Sequence, residues 1–288
     1  MEIPCETPVV VGVNTASAGR AAVRLGAREA VARDRELRIL HAFGWPGPLG
    51  GGDPKGYAPA RHAATRVVEQ AVATARRSTP GVRVTGQLVD GVPTRVLLQQ
   101  SRTAEMIILG DDDLASGARV PIDSVLLQTV SRAWCPVVVA RGLRPPTGPL
   151  LVAVDGSPSS LLALRYAAAE GRRRDVPVEV AHVVERADPE SEAAGREILA
   201  AAVAAVPELR RARTRLLIGD PAGALVRASR HARMVVVGPR GQDGAVLLGP
   251  VAHVLLRRCA CPTVFVHRAS ADDPSSTGTV PTAGALIT

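Results

Sequence analysis

Met106-Ile107-Ile108-Leu109-Gly110 and Met234-Val235-Val236-Val237-Gly238 decide how this chain is read, because they are one strand written twice and closed by the same glycine. The surroundings repeat as well. Cys135-Pro136-Val137-Val138-Val139 returns as Cys261-Pro262-Thr263-Val264-Phe265. From Val13/Val154 through Arg24/Arg165, Glu29/Glu170, Asp34/Asp175 and His41/His182 the spacing is 141. From Gly91/Gly219, Pro93/Pro221 and Ser101/Ser229 to Gly110/Gly238 it is 128, and from Val125/Val251 to Cys135/Cys261 it is 126. The second copy is therefore 13 residues shorter in the middle and 2 shorter in a late loop. Surface connections absorb such changes while strands and helices keep their length.

Within each copy, apolar strand runs alternate with helical stretches. Strands are expected over 9–13 and 37–43, with a helix over 18–33 between them, followed by a breaker-rich segment, Gly44 to Pro59, which reads as a long loop. A helix is expected over 60–78, a strand over 82–88, a short helix over 94–102, a strand over 106–109, a helix over 122–133 and a strand over 137–140. The second copy predicts strands over 150–154, 178–184, 214–218, 234–237 and 263–266. Helices are expected from Pro158, over 190–206, over 222–230 and over 246–258. Continuous Val/Ile runs mark strands buried on both faces, and alternation of strand with helix implies parallel sheets. The fold class is therefore α/β, two doubly wound parallel five-stranded sheets in tandem. Domains are expected over 1–141 and 150–269, with a linker over 142–149 and a disordered tail over 270–288.

At 288 residues and 46% hydrophobic, the chain can bury two cores. Two Trp, two Tyr and two Phe leave those cores to Val, Leu, Ile and Ala and argue against a base-stacking surface. The net charge of +8 is nearly all arginine, in short clusters such as Arg172–Arg174, so nucleic acid is not an expected partner. No apolar run approaches membrane-spanning length, and no secretory pattern opens the chain. A reduced, cytoplasmic location without membrane attachment is expected. Four cysteines make no disulfide framework here, and Cys135 and Cys261 read as buried packing residues. Cys259-Ala260-Cys261 lacks a second pair to complete a metal site.

In doubly wound sheets ligands lie beyond the carboxyl ends of the strands, where strand order reverses. After its first strand the second copy reads Val154-Asp155-Gly156-Ser157-Pro158. Ser157 suits a helix N-cap and Pro158 the first helical position. After its fourth strand it reads Gly238-Pro239-Arg240-Gly241-Gln242-Asp243-Gly244, then Leu248-Gly249-Pro250. Asp155 could accept from an adenine or ribose donor or cap its own turn. Glycines could admit phosphate to backbone N–H groups or merely form a turn. No GxxxxGK[ST] occurs, which excludes a Walker-type site. His41, His182 and Asp220 read as structural, with no acid/base pair of the kind hydrolysis needs.

On these residues the chain resembles the universal stress protein family in its tandem form, over about residues 7–142 and 149–268. The resemblance implies a non-catalytic stress-response or regulatory module. In ATP-binding members the phosphate motif is Gly, two residues, Gly, nine residues, Gly, then Ser or Thr. The second copy keeps Gly238 and Gly241, but only seven residues separate Gly241 from Gly249, and Pro250 replaces the hydroxyl residue. By similarity Asp155 and Val183 would flank an adenosine, and Arg240 could supply charge to a phosphate. ATP or another adenine nucleotide is thus the cofactor the second copy would take.

The first copy keeps the spacing as Gly110, Asp113, Asp123, Ser124, yet carries Asn14 in place of the first-strand Asp and an Asp111–Asp113 cluster. Like charges repel phosphate, so no ATP is expected there, while a cation or plain solvated acids remain open readings. The resemblance also implies that the last strands of the copies pair, Val137–Ala140 against Thr263–Val266. It leaves homodimerisation and an unknown protein partner open. The alternatives are a nucleotide phosphohydrolase or phosphotransferase at the second crevice, or a nucleotide-independent protein-binding scaffold.

Overall fold

The computed structural model describes residues 7–14, 19–45, 54–111, 124–142, 147–239 and 248–267. The first copy runs β1 (Val9–Gly12), α1 (Gly19–Arg33), β2 (Leu37–Phe43), α2 (Pro54–Ser78), β3 (Val84–Asp90), α3 (Pro93–Gln100), β4 (Met106–Leu109), α4 (Val125–Arg132) and β5 (Val137–Val139). The second runs β6 (Leu150–Ala153), α5 (Pro158–Arg174), β7 (Val178–Val184), α6 (Pro189–Ala204), β8 (Arg213–Ile218), α7 (Pro221–Ala228), β9 (Met234–Val237), α8 (Pro250–Arg258) and β10 (Thr263–Phe265). The chain is α/β, and each copy supplies five strands, as its repeat predicts. Among the described residues no helix is long and apolar enough to cross a membrane.

The described residues fall into two compact units. One holds the first copy through β4 together with residues 133–135, and the other holds α4, β5 and the second copy. In the first unit the strand order is β3-β2-β1-β4, every pair parallel. In the second it is β5-β10-β9-β6-β7-β8, parallel throughout except for β5 against β10. That antiparallel pair sets Val137 opposite Phe265 and Val139 opposite Thr263, the expected pairing of the two terminal strands. It covers a Val-rich strand edge that would otherwise offer open backbone groups to other chains.

Register carries the duplication into three dimensions. Val9 pairs with Leu37, and Leu150 with Val178, at the same separation. Val9 also pairs with Met106, whereas Leu150 meets Met234 over a connection 13 residues shorter. Much of the missing length lies in one helix, since α2 has 25 residues and α6 has 16. The central strands β1, β4, β6 and β9 are buried nearly throughout, which explains their unbroken apolar sequence.

Polar side chains inside this framework recur in pairs. Glu29 bonds Arg33 at 3.0 Å, and Glu170 holds both Arg173 at 2.7 Å and Arg174 at 2.8 Å. Asp34 and Asp175 follow α1 and α5 with φ of 52° and 51°, left-handed values that aspartate tolerates better than most residues. Ser101 donates to the carbonyl of Leu98 and accepts from the N–H of Trp134; Ser229 does the same with Val226 and Ala260. His41 and His182 each donate Nδ1–H to the carbonyl of Val13 or Val154, at 2.8 and 2.7 Å. Both histidines are thus structural, as expected. They tie the second strand of each copy to the end of the first.

Two local expectations fail. Pro54 to Pro59 is helical, so α2 begins earlier than the breakers suggest. Pro54 takes the first helical position, where an N–H would lack a partner anyway, whereas Pro59 lies inside the helix; Tyr57 between them is fastened by aromatic contacts with Phe43 and Trp45. The rest of the expected loop, 46–53, lies outside the described residues, as does the tail over 270–288. In the second copy, Leu248 and Gly249 are not helical; Pro250 occupies the first position of α8 and Gly249 is its N-cap, extended at φ −63° and ψ 156°.

Cys135 and Cys261 are buried, and burial pushes both thiols up to about 12; burial raises Cys259 too. A thiol raised this far stays protonated at pH 8, where only the thiolate is strongly nucleophilic. Iodoacetamide at pH 8 should leave all three unmodified in native protein and label them after denaturation, read by peptide mass spectrometry. Glu170 sits at 8% side-chain exposure between two arginines. Glu170→Ala should lower the unfolding free energy by about 2 kcal/mol in urea melts, since it strands partly buried guanidinium groups. Glu208→Ala, which breaks an exposed pair with Arg172, should leave the midpoint unchanged.

Candidate functional site

In the second unit, strand order reverses between β6, which continues to β7, and β9 on its other side. Such a reversal opens a crevice at the carboxyl ends of these strands. Asp155 follows β6, Val183 lies near the end of β7, and Gly238 follows β9. These three expected residues are thus placed at the ends of three adjacent parallel strands. Gly249 comes in from the start of α8. Arg240 and Gly241 lie outside the described residues.

The β6–α5 turn is built by its own side chains. Asp155 accepts the N–H of Ser157 through Oδ1 at 2.9 Å, and Gly156 supplies the φ of +81° that the reversal requires. Ser157, extended at φ −71° and ψ 154°, accepts the N–H of Ser160 at 3.1 Å and caps α5, with Pro158 next. Asp155 therefore has a turn-capping role, which the residues alone left equal to a ligand role. Asp220 likewise caps α7 by accepting from Gly223 at 2.7 Å.

Gly238 is a contact glycine. A Cβ placed on it would stand 2.0 Å from Ser159 Oγ and 2.9 Å from the Ser159 carbonyl carbon. The first turn of α5 thus packs directly on the backbone where β9 ends. Gly249 donates its N–H to the carbonyl of Pro239 at 2.9 Å, so this donor is already engaged within the protein. Pro250 has no N–H at all. Among the described residues, Gly249 and Pro250 thus leave no open backbone N–H at the start of α8.

The first copy presents different chemistry. Asn14 is exposed beyond β1, while Gly110 and Asp111 are half-buried beyond β4 in the first unit. Asp112, Asp113 and Asp123 lie outside the described residues. Ser124 belongs to the second unit, where its hydroxyl caps α4 by accepting from Leu127 at 3.1 Å.

Composition concealed one feature. Phe43, Trp45 and Tyr57, half of the chain's aromatics, gather at the end of β2 and the start of α2, with ring centroids 5.8–6.2 Å apart. The Arg61 guanidinium lies 5.8 Å from the Phe43 ring centre and pairs with Asp90. These rings pack against one another, so the cluster is a fastening of α2 onto β2. The signal in the sequence was Trp45 and Tyr57 inside the breaker-rich stretch, just after Phe43.

The contact at Gly238 is testable. Gly238→Ala forces the first turn of α5 away from β9 and should cost about 2 kcal/mol of stability. Ser159→Gly, which removes the nearest two atoms, should recover part of that loss. Chemical denaturation of the single and double variants measures both.

The sequence profile of the universal stress protein family matches residues 7–141 and 147–267. A universal stress protein of Mycobacterium tuberculosis is 31% identical over 288 residues, covering 90% of this chain and 97% of its own. One from Mycolicibacterium smegmatis is 29% identical, covering 91% and 97%. In structure, a universal stress protein from Archaeoglobus fulgidus is similar with a TM-score of 0.68 over 93% of this chain and 99% of its own, at 16% identity. That last likeness concerns the fold alone. Two matched domains, repeated register and full-length relatives agree: this chain belongs to the universal stress protein family, in its tandem two-domain form.

Proposed function

We propose that the chain is a non-catalytic regulatory module of the stress response whose second crevice takes an adenine nucleotide mainly through its adenosine part. The domains are residues 1–141 and 150–269, joined by 142–149. The observation that carries the reading is the placement of Asp155, Val183 and Gly238 at the carboxyl ends of β6, β7 and β9 across a reversal of strand order. A carboxylate has about four acceptor sites, so capping its turn is compatible with meeting a donor on adenine or ribose. Val183 offers an apolar flank. Arg240 and Gly241 would face the phosphates, with Arg240 supplying the charge.

Affinity gained from the phosphates is small in this reading, because Gly249 is bonded to Pro239 and Pro250 has no donor. A cytoplasmic location, an unidentified protein partner and self-association belong to the same proposal. The packing of Ser159 on Gly238 and the engaged Gly249 also favour a second reading, a scaffold that binds protein without nucleotide.

Calorimetric titration with ATP, ADP, AMP and adenosine separates these readings. Saturable binding is expected, with ATP and AMP within about threefold of each other, and Asp155→Ala about tenfold weaker, equivalent to roughly 1.4 kcal/mol. No heat and no thermal shift at millimolar nucleotide would establish the scaffold instead. Release of ADP from bound ATP, lost in Asp155→Ala, would make the second domain a phosphohydrolase.

A further inference from the structure

The first unit contains a cleft of about 520 Å3 between the start of α1 and the second half of α2, beside the end of β1. Its size falls in the range that holds a small organic ligand, roughly 300–1,000 Å3. Asn14, the first-copy counterpart of Asp155, lines it while Gly110 and Asp111 do not, so it adjoins the end of β1 and not that of β4. Val13, Val23, Val67 and Ala71 form its apolar wall, and Val23 is 1% exposed.

The polar side is one-signed. Arg20 on α1 and Arg77 on α2 line the cleft with Thr74, and among the described residues no acidic one does. Arg77 donates to Thr74 Oγ1 at 3.4 Å, which places a hydroxyl next to its guanidinium. A Cβ on Gly19 would meet nothing within 4 Å, so the backbone at the start of α1 adjoins open space. That helix end adds positive potential beside Arg20, while Arg77 stands in the last turn of α2.

The corresponding corner of the second copy lacks this chemistry. At the 141-residue spacing, Arg20 becomes Leu161, Asn14 becomes Asp155 and Gly19 becomes Ser160. The helix that supplies Arg77 is 25 residues long, whereas α6 has 16. Cation and length are both particular to the first copy, while the buried valine survives as an apolar Leu164.

We propose that this cleft binds a small phosphate monoester with an apolar body, its phosphate held by Arg20 and Arg77 and its body on Val13, Val23, Val67 and Ala71. Guanidinium groups suit phosphate because their N–H forks match its oxygens, and the charge-assisted bonds are about twice as strong as neutral ones. The site is independent of the adenosine reading of the second crevice.

The test is fluorescence titration of the full-length protein with 1-naphthyl phosphate. Saturable submillimolar binding is expected; Arg20→Ala and Arg77→Ala should each weaken it about tenfold, as for loss of one charge-assisted hydrogen-bond partner. The double variant should bind no better than 1-naphthol, the uncharged control. Both arginines are exposed, so circular dichroism melts of the variants should match wild type. Asp155→Ala should leave this binding unchanged while weakening adenine nucleotides. Binding that persists in the double variant, that 1-naphthol equals, or that Asp155→Ala abolishes would overturn the proposal, as would no saturation by millimolar ligand.

Discussion

Burial of β1 against β4, and of β6 against β9, is the constraint on which each unit rests. These strands are sealed on both faces, with Val9, Val10, Val11, Ile107 and Ile108 at 0% exposure and Leu150, Val152, Val235 and Val236 likewise. Each such side chain contributes roughly 1.5–3 kcal/mol by leaving water. A strand covered on both faces cannot also carry ligand-binding side chains along its length. Chemistry is thereby confined to the strand ends, where the backbone turns and helices begin. This is why both copies place their variable residues there and keep their interiors nearly interchangeable.

The polar groups that do enter the interior are locked in pairs of devices. Glu29 with Arg33, Glu170 with Arg173 and Arg174, the serine bridges at Ser101 and Ser229, and the histidine ties at His41 and His182 recur copy by copy. Each satisfies donors or acceptors whose loss would leave a buried group unpaired, at about 1–3 kcal/mol. Such groups resist drift. Exposed positions at the strand ends, such as Asn14 and Arg20, meet no comparable penalty, because a changed side chain there faces water. Asn14 against Asp155 and Arg20 against Leu161 record that freedom.

Freedom at the ends runs in opposite directions in the two copies. In the second, packing is close: Ser159 presses on Gly238, and Gly249 is bonded to Pro239. In the first, a longer α2 anchors itself through Tyr57 to Phe43 and Trp45 and frames a cleft with α1. One scaffold thus presents two chemically different faces, one carrying a carboxylate and glycines, the other guanidinium groups over an apolar wall.

The amino-acid sequence by itself determined the repeat, the parallel α/β class, nearly every strand and the caps at Ser157 and Asp220. These depend on neighbours within a few residues and on a pattern stated twice. Strand order pointed to Asp155 and Gly238, which follow strands one and four of the second copy, and the family resemblance added Val183. Only the tertiary structure decided what those residues touch. That Gly238 admits a serine, that Gly249 answers Pro239, that α2 starts at Pro54, and that Arg20 and Arg77 share a cleft all depend on residues distant in sequence meeting in space. Local propensity carries no record of such meetings; packing creates them.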